Sequence, residues 1–348
     1  MSYFERMRSA AIREDAVILG IESSCDETAA AVVKGGREIL SSEIISSATE
    51  HVRFGGVVPE IASRAHTDAI AEVVKRAIKA AGIGFSDIDA VAVTYGAGLL
   101  GALLVGVSYA KSLAYALNVP LVAVSHIRGH IAAAYLEDSE LKPPFISLLL
   151  SGGHTAVSLI TGYNELKVLG STMDDAAGEA FDKVARVLSL PYPGGPNIEK
   201  LAKEGHNTVK LPKMLRGEKN YDFSYSGLKT AVINYVHTKR QKGEDYSSAD
   251  VAASFQSAAL DVAVDKAIAA AKAYGLNTIA VGGGVAANGY LREKLSEKCE
   301  KNAIKCVIPS KRNCTDNAAM IAAEGYIQYK LKNFAALDLN ASASVALK

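Results

Sequence analysis

Cysteine is scarce in this chain and poorly placed for cross-linking. Cys25, Cys299, Cys306 and Cys314 form no C-x-x-C pair and nothing like a disulfide framework, which suits a reducing compartment and makes the cytoplasm the expected location. An excess of either charge is lacking as well. Lys and Arg number 38 against 37 Asp and Glu, so no global positive field announces a nucleic acid, and any such contact has to come from local patches. No stretch approaches the roughly 18 uninterrupted apolar residues of a membrane span, so no membrane partner is expected. Residues 1–16 lack the apolar core of a signal peptide, and Glu5, Glu14 and Asp15 argue against a transit peptide. They read as a disordered N-terminal extension. What the chain does have is bulk: 348 residues, 49% of them apolar, enough to bury one large core or two, with two domains expected.

Folding signals begin at Val17–Glu22, an apolar run that reads as a buried strand, followed by the polar turn Ser23-Ser24-Cys25-Asp26-Glu27 and a second strand from Thr28. The same device returns at Phe145–Leu150, the turn Ser151-Gly152-Gly153-His154-Thr155 and the strand Ala156–Ile160. Each turn alone reads as a plain hairpin. Repeated, they imply two similar α/β lobes, each with a loop that could hold a phosphate. Pro59 opens a long helix that Gly82 ends, Ile88–Thr94 reads as a strand, and Tyr95–Gly101 is a glycine-rich turn into a helix apolar almost all round, expected to be buried. In the second lobe, Met173–Lys183 reads as a helix with acids in its first turn, where they suit the dipole; Asp182, a turn further in, is a candidate ligand-binding group. Pro191–Pro196 has to be an ordered loop. Basic Lys210, Lys213, Arg216 and Lys219 interleave with Tyr221, Phe223 and Tyr225, a pattern that suits RNA contact or a solvated insertion equally. Gly282–Asn288 follows another strand and lets the backbone approach a ligand.

Strand Pro120–Val124 delivers His126-Ile127-Arg128-Gly129-His130 at its carboxyl end, where ligands bind in open α/β sheets. Positions i and i+4 of a helix share a face, so both imidazoles can reach one metal ion. Two ligands do not make a site, and an isolated pair also reads as ordinary histidines. A zincin would carry a Glu after the first His, where Ile127 stands. Asp316, before the last helix, is either an N-cap or a third ligand completing a two-His, one-carboxylate set.

Taken together, GIESSCDET (20–28), HIRGH (126–130), LLSGGH (149–154), DDAAGEAFDK (174–183), PYPGGP (191–196), FSYSGLKTA (223–231), GGGVAAN (282–288) and CTDNAAM (314–320) make a sequence that resembles the universal tRNA threonylcarbamoyladenosine transferases. These were formerly called O-sialoglycoprotein endopeptidases, and the resemblance, to the bacterial type, runs from Val17 to about Gln328. It implies two RNase H-like lobes of the sugar kinase/Hsp70/actin (ASKHA) superfold facing across a nucleotide cleft. The first would span about 17–140 plus the C-terminal helix 315–330, the second 145–310 with a helical insertion over about 190–245. The metal ligands implied are His126, His130 and Asp316, for one divalent ion, iron or zinc. The adenylate contacts implied are Leu149, Leu150, Ser151, Gly152, Gly153, Asp182, Gly195 and Asn288. Glu199, implied as a further, ribose-type adenylate contact, stands where bacterial members often have an Asp, Ala97 replaces a common proline, and Leu149 replaces a metal-binding Tyr of the archaeal form.

The activity implied is that of an N6-L-threonylcarbamoyladenine synthase. It transfers the threonylcarbamoyl group from threonylcarbamoyl-AMP to the exocyclic amine of the adenosine next to the anticodon in tRNAs reading ANN codons. Asp26 and Glu27 are catalytic candidates for positioning or proton transfer. The partners implied are tRNA, a shorter paralogous subunit of the same superfold (TsaB type) and a P-loop ATPase (TsaE type). The rivals are a metallopeptidase, which lacks its H-E-x-x-H base here, a small-molecule kinase of the same superfold, which has no use for the His pair, and a non-catalytic scaffold paralogue, expected to lack it.

Overall fold

A computed structural model describes residues 3–215 and 220–347. The chain forms two compact units: one runs to Leu141 and resumes with Asp316–Leu347, the other is Lys142–Thr315. In chain order the first contains α1 (Tyr3–Arg8), β1 (Val17–Glu22), β2 (Glu27–Lys34), β3 (Glu38–Ser46), α2 (Ala48–His51), α3 (Pro59–Ala80), β4 (Ala90–Gly96), α4 (Leu100–Leu117), β5 (Leu121–Ser125) and α5 (His126–Glu137). The second contains β6 (Phe145–Leu150), β7 (Thr155–Gly162), β8 (Glu165–Ser171), α6 (Ala177–Val187), α7 (Gly194–Ala202), α8 (Ser226–Lys242), α9 (Ser248–Ala273), β9 (Thr278–Gly282), α10 (Gly289–Lys301), β10 (Lys305–Val307) and α11 (Lys311–Cys314). Helix α12 (Ala318–Lys330) then belongs to the first unit.

The two sheets have the same plan. In the first the order is β3-β2-β1-β4-β5, in the second β10-β9-β6-β7-β8. In each, the three leading strands form an antiparallel meander, the fourth joins the leading strand in parallel and the fifth joins the fourth in parallel. The repeated strand–turn–strand device is therefore the leading hairpin of two RNase H-like sheets.

Alternation along the strands decides what each face of the first sheet meets. A Cβ on Gly20 would lie 2.2 Å from the Ala318 carbonyl oxygen, and one on Gly325 would lie 2.4 Å from Ala92 Cβ. The even-numbered face thus receives α12 at a distance only glycine allows. The opposite face receives α4, where Ser23 Oγ donates to the Ala102 carbonyl and Gly106 packs on Ser23 and Val93. Glu22, the last residue of β1, falls on the α12 face by the same alternation and is fully buried.

Four expectations are corrected here. Residues 3–8 are a helix because Tyr3 and Met7, one turn apart, bury on the same side, and the Tyr3 hydroxyl donates to Val119 O at 2.5 Å. The extension is packed, not loose. Helix α4 is not enclosed: Ala102, Leu103, Gly106, Val107, Ala110 and Ala114 are buried, while Leu100, Leu104 and Tyr115 face outward. By length and composition α4 alone among the described helices is apolar enough to cross a membrane, with a mean hydropathy of 1.4. Asp174 and Asp175 precede α6 instead of lining its first turn. Asp174 Oδ1 accepts the backbone N–H groups of Tyr225 and Ser226 at 2.7 and 3.2 Å, so its charge serves the start of α8. Asp175 pairs with Lys183 and Lys229. Last, Phe223 and Tyr225 are fully buried in the second core, stacked 6.2 Å apart, and are not a platform for RNA bases. Arg216 and Lys219 lie outside the described residues.

Candidate metal centre and nucleotide loops

Strand β5 ends at Ser125 and α5 begins at once, which places His126 in the first turn and His130 directly above it. The third group comes from the far end of the sequence. Asn317 takes the N-cap of α12, its side chain accepting Met320 N at 2.9 Å, so the neighbouring Asp316 is released from capping. Asp316 Oδ1 lies 3.5 Å from His126 Nε2 and 3.3 Å from His130 Nε2. Among the described residues these three form the one group of His, Cys, Asp or Glu side chains arranged to hold an ion, with their ligating atoms within 4.8 Å of one another.

Two further observations fit a metal. His130 is 1% exposed; its Nδ1 makes no hydrogen bond, and its Nε2 lies 3.3 Å from Asp316 Oδ1 without a well-aligned hydrogen bond. A buried nitrogen left without a good partner is costly, and an ion ligated at Nε2 would supply one there. His126, by contrast, is oriented from behind. Its Nδ1 lies 3.0 Å from Glu22 Oε2 and 3.2 Å from Ser24 Oγ. A metal-bound histidine characteristically gives its second N–H to a carboxylate, which fixes the tautomer that leaves Nε2 as ligand. Glu22 is itself held: it accepts Ser24 N at 2.5 Å and the Thr94 hydroxyl at 2.6 Å.

The electrostatics are those of a cation site. Burial disfavours a charged His126, but Asp316 and Glu22 outweigh it and raise the imidazole pKa to about 9. Burial likewise opposes ionisation of Asp316 and Glu22, yet the neighbouring histidines hold Asp316 well below the usual carboxylate range, and His126 lowers Glu22. Glu27, in the adjoining turn, goes the other way. Burial, a hydrogen bond with Asp26 and the charges of Asp26 and Asp316 push it up to about 9, so it holds a proton at neutral pH. The glycine-rich turn abuts the same residues: a Cβ on Gly98 would meet Ser24 O at 2.5 Å, and Leu99 N donates to that oxygen at 2.8 Å.

In the second unit, the glycine loops gather at the carboxyl ends of β6 and β9. Leu149 and Leu150 are buried strand residues, 2% and 0% exposed, that offer a ligand only backbone. Ser151 closes the turn through His154, and Gly152 and Gly153 have open space where side chains would be. Gly178, at the start of α6, and Gly283 approach Ser151–Gly152 and Leu150 so closely that a Cβ would fall at 2.8 and 2.3 Å. Asp182 Oδ1 accepts Gly194 N at 2.7 Å, with burial raising its pKa, and Gly195 beside it faces open space. Glu199 accepts Gly289 N at 3.2 Å. Asn288 caps α10 through Leu291 N at 3.0 Å and donates to Gln256 at 2.8 Å. Asp182, Glu199 and Asn288 thus hold loops together with their side chains. Glu22, Ser24 and Thr94 were absent from the candidates read in the sequence; the signal for Glu22 was a lone charge closing an otherwise apolar strand.

The two-sheet plan recurs in solved structures of other proteins. The chain superposes on HypF of T. kodakarensis with a TM-score of 0.63 at 16% identity, covering 92% of this chain and 48% of that one. It superposes on component A of the (R)-2-hydroxyglutaryl-CoA dehydratase of Acidaminococcus fermentans with a TM-score of 0.52 at 17% identity, covering 90% and 99%. These likenesses show a shared fold of two α/β units built on one sheet plan. Within it, the profile of tRNA N6-adenosine threonylcarbamoyltransferases matches residues 38–323. Proteins of that name from Clostridium perfringens (strain SM101) and Clostridium novyi (strain NT) are each 53% identical, over 332 and 336 residues, covering 95% and 96% of this chain and 98% of theirs. The chain belongs to the tRNA N6-adenosine threonylcarbamoyltransferase family.

Proposed function

We propose that the protein transfers the L-threonylcarbamoyl group of threonylcarbamoyl-AMP to the exocyclic amine of the adenosine beside the anticodon of tRNAs reading ANN codons. The observation that carries this reading is the preformed triad of buried His126, buried His130 and Asp316, whose ligating atoms lie within 4.8 Å of one another, in a chain of this family. An aromatic amine is a poor nucleophile, so the acyl donor has to be activated and its phosphate leaving group stabilised. A divalent ion, iron or zinc, bound by the triad would supply Lewis-acid polarisation.

The remaining work falls to the chain. Glu22 holds His126 with Nε2 free, and Asn317 keeps Asp316 from serving as a cap. Glu27, which holds a proton, would give it to the departing AMP phosphate, and the carboxylate so formed would take the proton that the amine loses, which restores the acid. In the second unit, the backbone of Ser151–Gly153 and Gly195, where no Cβ intrudes, would take the phosphate and sugar of the AMP moiety. The side chains of Asp182, Glu199 and Asn288 would keep those loops in shape. The partners proposed are tRNA, a paralogous subunit and a P-loop ATPase.

The test is direct. Metal-loaded protein, these partners, threonylcarbamoyl-AMP and unmodified tRNA are incubated, and the nucleosides are analysed by mass spectrometry. Appearance of N6-threonylcarbamoyladenosine is expected. Its absence, with phosphorylation of a small molecule instead, would favour a kinase of the same superfold.

A further inference from the structure

Two buried histidines of the first unit lie outside the triad. His51 and His66 are both 0% exposed, and their hydrogen bonds converge on one short segment. His66, on α3, has Nε2 3.0 Å from the Cys25 carbonyl oxygen and Nδ1 2.8 Å from the Thr28 hydroxyl. A carbonyl only accepts, so Nε2 carries the hydrogen, and in the neutral ring that burial favours, Nδ1 accepts from Thr28. Burial lowers the pKa of His66, consistent with the neutral form. One imidazole therefore grips the chain immediately before and immediately after Asp26-Glu27.

The carbonyl between these two grips is held from the other side. Asp26 O accepts both the backbone N–H of Ser47 at 2.9 Å and its hydroxyl at 3.0 Å. Since that hydroxyl spends its one hydrogen on Asp26, His51 Nε2, 3.2 Å away, must donate to it, and His51 Nδ1 accepts Val58 N at 3.3 Å. Both rings are thus in the same tautomer. A buried imidazole is a costly way to fill space, and an apolar side chain would pack there without the need for partners. What the imidazoles add is direction: the carbonyls of Cys25 and Asp26 and the hydroxyl of Thr28 are pinned, and with them the direction in which the two acids leave the backbone.

We propose that His66 is a positioning residue that fixes the Asp26–Glu27 pair for proton transfer, with His51 acting in the same way through Ser47. This rests on the transferase reading above. His66 touches neither the triad nor any group assigned to substrate, so its loss acts through the turn.

The experiment compares His66→Phe, which keeps an aromatic shape and removes both bonds, with His66→Gln, which retains an N–H for the Cys25 carbonyl. Full-length, metal-loaded proteins are used at a temperature where both variants are folded. Three quantities are read: amide hydrogen exchange of the peptide covering residues 23–28, metal per chain, and kcat and KM for transfer. His66→Phe is expected to raise exchange in 23–28, keep its metal, and lose about 10–100-fold in kcat with KM for the adenylate within about twofold. His66→Gln should recover most of kcat although it melts as early as the Phe variant. Unchanged exchange in 23–28, an unchanged kcat in His66→Phe, or a Gln variant no better than Phe would overturn the proposal. If wild-type protein shows no transfer, the transferase reading fails, and the exchange measurement alone decides whether His66 holds the turn.

Discussion

Glu22 is asked to do more than any other single residue of the triad's surroundings. Its two oxygens accept from Ser24 N, the Thr94 hydroxyl and His126 Nδ1, and a carboxamide has only one oxygen to meet three donors. Glu22→Gln is therefore expected to weaken metal affinity by about 10–100-fold, measured by chelator competition, while leaving the fold intact. Unchanged affinity would remove Glu22 from the site. The pH dependence follows from the same group of charges. His126 is raised from 6.5 to about 9, so in metal-free protein the stability it contributes is fully present below pH 6.5 and is lost as the pH rises through 9. Glu27, raised from 4.5 to about 9, acts with the same sign over its wider window. Metal-free protein should melt about 5 °C or more lower at pH 9 than at pH 6.5, and the bound ion, which replaces the His126 proton, should reduce that slope. At this scale the sequence was only partly legible. The spacing of His126 and His130 is a helical signature, whereas Asp316 reads equally as cap or ligand until Asn317 is seen in the capping position. No local pattern marks His66, whose role depends on a turn about forty residues earlier.

Among the elements, α5 and α12 carry the triad and are joined beneath it by a buried ion pair. Arg128 Nε lies 2.8 Å from Glu324 Oε1, with the Glu324 side chain 4% exposed, and Gln328 donates to the same oxygen at 2.7 Å. Removing one partner strands a buried charge. Arg128→Met should destabilise the protein by about 3–5 kcal/mol, and adding Glu324→Leu should restore most of it; denaturant titration of the single and double variants checks the order. A double variant as unstable as the single one would mean that the pair is not the cause. Of the strands, β3 and β8 were the two that the sequence hid. Both are edge strands, Glu38–Ser46 and Glu165–Ser171, with several polar side chains and only partial burial. In β3 the alternation is lost, with Ser41 and Ser42 buried in succession, whereas β8 alternates only over Glu165–Val168, too short a run to stand out from a turn. The central strands β1, β4, β6 and β9, enclosed and apolar, were plain. Helix α4 misled for the opposite reason: its composition predicts enclosure, yet the sheet covers only one side of it.

At the scale of the whole chain, the first unit is interrupted in sequence by the entire second unit and completed by α12. That helix buries Ala318, Ala319, Met320, Ile321, Ala322 and Ala323, and Gly20 and Gly325 are shaped to receive it. A chain ending at Thr315 should leave the first unit without a stable core: limited proteolysis is expected to digest the region before Leu141 and spare Lys142–Thr315. Resistance of both would show that α12 is dispensable. The repeat of two sheets was visible in the sequence as two like turns, whereas the return of the last helix was expected only through the family resemblance, because nothing local distinguishes a helix that closes its own unit from one that closes an earlier unit. The order of residues also sets a timetable for synthesis. At about 5–20 residues per second, roughly ten to forty seconds pass on the ribosome between His130 and Asp316. Through that interval a nascent chain displays two histidines and no aspartate, a weak and unselective pair for any passing ion. The proposed set of ligands is complete only once the last helix has been made and has found the first sheet, so if the triad binds a metal, its acquisition would double as a record that translation ran past residue 316.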